Sequence, residues 1–304
     1  MATEPHHPIA RLAVAAALVF AATALVGCGS DADDAAPARR ATTSTTTPAP
    51  KADVRVRLVD YGFEAPDAIP AGLTTIAVTN GGKQDHEFQV ARLRDGFTWD
   101  DAENLLHGPV PDALATQVIE VGGVGGLSPG ASGTATLDLR KPGHYALLCF
   151  VHGADGTSHL AHGMVRPIEV TAATAASKAR RAPASEGEIG LSDMTISLPE
   201  GFDGSGTFHV VNAGPQPHQA LFLRLADGAD RADAVAYLTA TTEPEGTPPL
   251  APAGGMPALE EHEQQWLTID LPPGRYVAAC IMPDLTKGGI SHVTEGMLTE
   301  FTIR

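Results

Sequence analysis

The chain has 304 residues, with 20 basic against 36 acidic side chains and a net charge of −16. That length accommodates roughly two domains of about 150 residues each, and a 43% hydrophobic content with 18% charged residues excludes global disorder. The acidic balance excludes a phosphate-backbone partner, so no nucleic acid is expected, while 32 glycines, 24 prolines and 5% aromatics point to short strands and many turns.

In chain order, residues 1–11 are polar and carry Arg11, and 12–26 form an uncharged apolar run. The run is shorter than the roughly 20 residues of a bilayer span and has the length of a signal-peptide core. Leu25-Val26-Gly27-Cys28 resembles the bacterial lipobox. The resemblance implies cleavage before Cys28 and lipidation of its thiol; an ordinary secretory signal is the alternative. Residues 1–27 are thus expected to be a lipoprotein signal peptide. Residues 28–51, rich in Ala, Asp, Thr and Pro, are expected to be a lipidated flexible tether. The implied location is the outer face of a bacterial cell membrane, with membrane contact through the lipid.

Strand patterns follow. Val54-Arg55-Val56-Arg57-Leu58 alternates with period two, and further strands are expected at 73–79, 86–92, 117–121, 134–139, 144–149 and 164–170. A short helix is expected at 99–106, behind a Thr98 cap with Asp101. Residues 172–185, rich in Ala and Ser with three basic residues, read as a linker. Beyond it, strands are expected at 194–198, 207–211, 219–225, 266–271, 275–280 and 298–303, with a helix at 231–238 behind Asp230. The glycine pairs at 122–126 and 254–255 read as loops. The fold class is all-β: two tandem Greek-key β-sandwich domains, 52–171 and 186–304, each with one short helix.

An internal repeat supports that division. Asn80, Gly82, Gln84 and His86 recur as Asn212, Gly214, Gln216 and His218, and Pro142-Gly143-His144-Tyr145 recurs as Pro273-Gly274-Arg275-Tyr276. Cys149 recurs as Cys280, and Ser158-His159 with Gly163-Met164 recurs as Ser291-His292 with Gly296-Met297. A period this long means two copies of a whole domain.

Each copy holds an early His, a Cys ending a Gly-x-Tyr strand, and a His and a Met in the closing loop. The sets are His86, Cys149, His159, Met164 and His218, Cys280, His292, Met297. A soft thiolate, two imidazoles and a distant thioether are the ligands of a type 1 copper site. The order of these residues resembles the cupredoxin family. The spacing of Cys149, His159 and Met164 resembles the long ligand loop of copper nitrite reductases and multicopper oxidases. The resemblance implies one copper per domain, the second domain's loop being two residues longer, and one-electron exchange with redox donor and acceptor proteins. His152, at Cys-x-x-His, competes with His159 as ligand, but its counterpart is Pro283 whereas that of His159 is His292. His144 and His162 read as surface residues. A Cys149–Cys280 disulfide, copper capture or delivery, and a copper-free interaction module are the alternatives.

No His-x-His pair occurs, and Leu148 and Ala279 precede the two cysteines where a copper nitrite reductase places a second-copper His. Phosphate-loop, dinucleotide, nucleophile-elbow and zinc-protease motifs are also missing. The expectation is therefore an electron-transfer protein rather than an enzyme.

Overall fold

The computed structural model describes residues 50–108, 111–240 and 246–304. Cys28, the apolar run and nearly all of the tether lie outside the described residues. Among the described residues no helix is long and apolar enough to cross a membrane.

The first repeat supplies β1 (Val54–Val59), β2 (Gly62–Glu64), β3 (Ala68–Pro70), β4 (Gly72–Asn80), β5 (His86–Leu93), α1 (Trp99–Leu106), β6 (Val118–Leu127), β7 (Ser132–Leu139), β8 (Gly143–Leu148) and β9 (Val165–Thr171). After α2 (Ala175–Ala179) the second supplies β10 (Glu188–Ser192), β11 (Thr195–Ser197), β12 (Ser205–Asn212), β13 (His218–Leu225), α3 (Arg231–Leu238), β14 (Leu250–Leu259), β15 (Gln264–Asp270) and β16 (Gly274–Ala279). It closes with β17 (Pro283–Asp284), β18 (Ile290–Ser291) and β19 (Leu298–Ile303). Local chemistry accounts for many boundaries. In β1, Val56 and Leu58 are buried while Arg55 and Arg57 face solvent. The first helix starts where Thr98 Oγ1 accepts the Asp101 amide at 3.2 Å and Asp101 Oδ2 accepts the Thr98 amide at 2.9 Å. Asp230 and Asp233 make the same reciprocal box at α3.

Among the described residues two large sheets form, in the orders β11-β10-β12-β15-β7-β4-β1-β2 and β19-β16-β13-β14-β6-β5-β8-β9-β3, while β17 and β18 pair only with each other. The first sheet takes four strands from each repeat and the second takes four from the second repeat and five from the first, so both run through the junction. At the seam β7 and β15 pair antiparallel, with Thr136 opposite Trp266, Ala135 opposite Leu267 and Thr134 opposite Thr268. The Gln265 carboxamide reaches across to the Gly123 amide at 2.8 Å and carbonyl at 3.2 Å, and Gln89 Nε2 donates to Ala258 O at 3.1 Å. One hydrophobic cluster between the sheets contains buried residues of both repeats, including Cys149, Met164, Cys280 and Met297. Two satellite clusters lie under α1 and α3.

One expectation is corrected here. The glycines at 122–126 and 254–255 are not loops but lie inside β6 and β14. At Gly123 (φ 154°) an added Cβ would stand 1.7 Å from Phe88 O, so absence of a side chain lets the neighbouring backbone close in. The 172–185 segment also contains a helix, and its Arg180 is fastened to the first repeat through Asp53 at 3.1 Å and Leu73 O at 3.1 Å.

Candidate metal centres

The recurring asparagine is the first positioning device. Asn80 is fully buried, and its Nδ2 donates to Gln84 O at 2.8 Å and Leu127 O at 2.7 Å while Oδ1 accepts the Gly82 amide at 2.9 Å. These bonds hold the turn after β4 against the end of β6 and deliver His86 to the first position of β5. Asn212 repeats them with Gln216 O, Leu259 O and the Gly214 amide, delivering His218. Buried amides of this kind are costly to leave unpaired, which fixes the geometry.

Cys149 and Cys280 directly follow β8 and β16. The closing loops then turn back: His159 N donates to Val151 O at 2.7 Å and Met164 N to His159 O at 2.8 Å, matched by His292 N to Met282 O and Met297 N to His292 O at 2.8 and 2.9 Å. As a result three donors meet in each repeat. His86 Nδ1 lies 3.0 Å from His159 Nδ1, and Cys149 Sγ lies 3.9 and 3.5 Å from the two nitrogens. In the second repeat the His218–His292 separation is 3.1 Å, with Cys280 Sγ 3.9 and 3.3 Å away. All six side chains are completely buried, as are Met164 and Met297.

The surroundings of the donors are nearly the same twice. The Glu87 amide donates to Cys149 Sγ and the Gln219 amide to Cys280 Sγ, both at 3.4 Å. On the far side of the rings, His86 Nε2 lies 3.1 Å from Asp60 Oδ1 and His218 Nε2 lies 3.2 Å from Asp193 Oδ1. His159 Nε2 meets Gln84 Oε1 at 3.3 Å, whereas His292 Nε2 is buried with no hydrogen-bond partner.

Burial raises the Cys149 thiol far above its ordinary range and pushes Cys280 up to about 11. The same desolvation lowers His159, His218 and His292. Without a cation each centre therefore holds a neutral thiol, and burial disfavours the charged form of His159, His218 and His292. A bound metal ion would displace the thiol proton and take up both imidazole lone pairs. Donor separations of 3.0–3.9 Å suit one first-row ion at bond lengths of about 2.0–2.3 Å. The donor set, its convergence and its burial all fit copper.

His152 and His162 are exposed, as is His144. His162 pairs with Asp155 and His144 with Glu169, each at 3.0 Å, and His152 only bridges Ser158 through the backbone. Both cysteines are free thiols, each within its own His/Cys/His group. Sequence reasoning missed Asp60 and Asp193. Their recurrence one period apart, as Asp60-Tyr61 and Asp193-Met194, was the available signal.

Paired mostly antiparallel sheets, an early His on one strand and a Cys/His loop between the last two strands define a cupredoxin fold, here doubled, whose two His/Cys/His groups fit two type 1 sites. The comparisons are of the same kind. Reduced auracyanin from the photosynthetic bacterium Roseiflexus castenholzii is similar to 38% of this chain over 94% of its own, at 22% identity and TM-score 0.26. A multicopper oxidase is similar over 82% of this chain and 88% of its own (14% identity, TM-score 0.23). A copper-containing nitrite reductase from Thermus scotoductus is similar over 83% and 61% (10% identity, TM-score 0.22). No family model and no curated protein sequence matches the chain. These neighbours correct one expectation. Multicopper oxidases and nitrite reductases are enzymes, so the assignment of the chain as a non-enzyme, drawn from missing motifs, is not kept.

Proposed function

We propose that the protein is an exported, lipid-anchored copper protein that holds one copper in each repeat and passes single electrons through type 1 centres. The observation that carries this reading is the twofold convergence of a thiol sulfur and two imidazole Nδ1 atoms, all completely buried. In this reading Cys149 and Cys280 would supply the strong bond and the electronic path, His86 with His159 and His218 with His292 would complete the two donor sets, and the buried Met164 and Met297 would add a weak thioether donor to each. Copper supplies a one-electron couple. The chain's own contribution is a rigid, dry cage in which the donors move little between oxidation states. Sealed donors also speak against copper as cargo, since delivery requires a site that a partner can reach.

Adding Cu(II) to the full chain in detergent is expected to give two coppers per chain, an intense visible thiolate-to-copper band and a reversible couple. Colourless Cu(I) uptake without such a couple would favour delivery, and no uptake would leave a copper-free module. The anchor is tested separately: Cys28→Ser is expected to abolish membrane fractionation, and a variant that still sediments with membranes after processing refutes the lipobox reading.

A further inference from the structure

Beyond the six donors, the structure builds one outer contact twice with more care than strand pairing requires. Asp60 follows β1 and Asp193 follows β10. The next residues, Tyr61 and Met194, take φ of 63° and 57°, a left-handed conformation that side-chain-bearing residues rarely adopt. Asp60 Oδ1 additionally accepts the Lys83 amide at 2.8 Å and the Gln84 amide at 3.4 Å, so it is held on three sides. Space for the contact comes from a residue without a side chain. A Cβ on Gly82 would stand 2.4 Å from Asp60 Oδ1 and 2.8 Å from His86 Nε2, and one on Gly214 would stand 2.9 Å from both Asp193 Oδ1 and His218 Nε2. The neighbours have diverged between repeats, with Tyr61 against Met194 and Gly81 against Ala213. The carboxylate, the left-handed turn and the glycine persist.

We propose that Asp60 and Asp193 are positioning residues that keep the proton of His86 and His218 on Nε2, turn the Nδ1 lone pair toward the metal, and bias each centre toward Cu(II). This rests on the copper reading above. A carboxylate accepting from Nε2–H fixes tautomer and ring orientation and strengthens the opposite nitrogen as a donor. Reduction adds one electron to Cu(II) and gives Cu(I), with no bond or proton moved. The nearby negative charge favours the more positive ion, so the carboxylate lowers the potential of its own centre.

The test uses the full copper-loaded chain and its Asp60→Asn, Asp60→Ala, Asp193→Asn and Gly82→Ala variants. Spectroelectrochemistry is expected to show Asp60→Asn moving one wave to higher potential and Asp193→Asn moving the other. Asp60→Ala is expected to weaken copper binding at one centre by about 10- to 100-fold, and Gly82→Ala to reproduce that loss with the carboxylate still present. In the copper-free protein, nitrogen-15 spectra are expected to show His86 protonated at Nε2, and a tautomer mixture in Asp60→Ala. Unmoved waves with an unchanged tautomer would overturn the proposal, as would a lower melting temperature as the only effect. Failure of the parent chain to bind copper would instead sink the copper reading, and the tautomer spectra would then decide the positioning role alone.

Discussion

His159 and His152 lie seven residues apart in one loop, and their surroundings separate them completely. His159 is fully buried with its Nδ1 3.5 Å from Cys149 Sγ, whereas His152 faces solvent. His159→Ala is therefore expected to lower copper content from two per chain to one and to remove the first centre's visible band, while His152→Ala leaves both in place. Metal analysis with the visible spectrum checks this; loss of copper in His152→Ala would mean that the wrong loop residue had been assigned. Another buried side chain sets a pH dependence. Glu120 in β6 is 4% exposed with Oε2 unpartnered. Burial, helped by the Glu260 and Glu87 carboxylates and opposed by Arg94, pushes it up to about 8. Between the ordinary carboxylate range, about 4.3, and that value, the unfolded chain releases a proton that the folded chain keeps. The folded-state pKa is raised, so this contribution is fully present at low pH and is lost as pH rises through about 8. Glu120→Gln is expected to flatten the fall in urea midpoint between pH 5 and 8, and equal slopes in the two chains would refute the assignment.

At the scale of elements, the glycine-rich β6 shows what a single methyl group would do. Gly123→Ala places Cβ against Phe88 O across a backbone contact, and the expected cost is about 4 kcal/mol or more, because the two strands must separate. Gly130→Ala, where an added Cβ meets nothing within 4 Å, is expected to cost only about 1 kcal/mol for its left-handed turn. Denaturant unfolding distinguishes the two; comparable losses would show that the close approach is unimportant. The same strand marks the limit of what sequence could reveal. Both longer helices were legible to the residue because their caps, Thr98 with Asp101 and Asp230 with Asp233, are local chemistry. Strands with period-two burial, such as β1, were legible as well. Gly122 to Gly126 reads as a loop because what extends it is not a local pattern: it is the pairing with β5, where Gly123 lies opposite Gln89, and a carboxamide from Gln265, 142 residues further along the chain. The donors were legible because His, Cys and Met recur in fixed order. Asp60 and Asp193 recur one period apart as well, but aspartates are common on surfaces, and the folded turn is what brings these two to the histidines.

At the scale of the whole molecule, the seam between β7 and β15 has a consequence for how such a chain can arise. Thr134 and Thr136 in β7 correspond by repeat position to Trp266 and Thr268 in β15. Since Thr134 pairs with Thr268 and Thr136 with Trp266, exchanging the two repeats reproduces the pairing, with Ala135 and Leu267 at its centre. That is the symmetry of an isologous contact between identical subunits, here sealed within one polypeptide, and it is what fusion of two copies of a self-associating ancestor leaves behind. Either half alone would present an open strand edge shaped to accept another copy of itself. Residues 52–171 expressed separately are accordingly expected to sediment as a dimer, and a stable monomer would argue that the halves met only after they were joined.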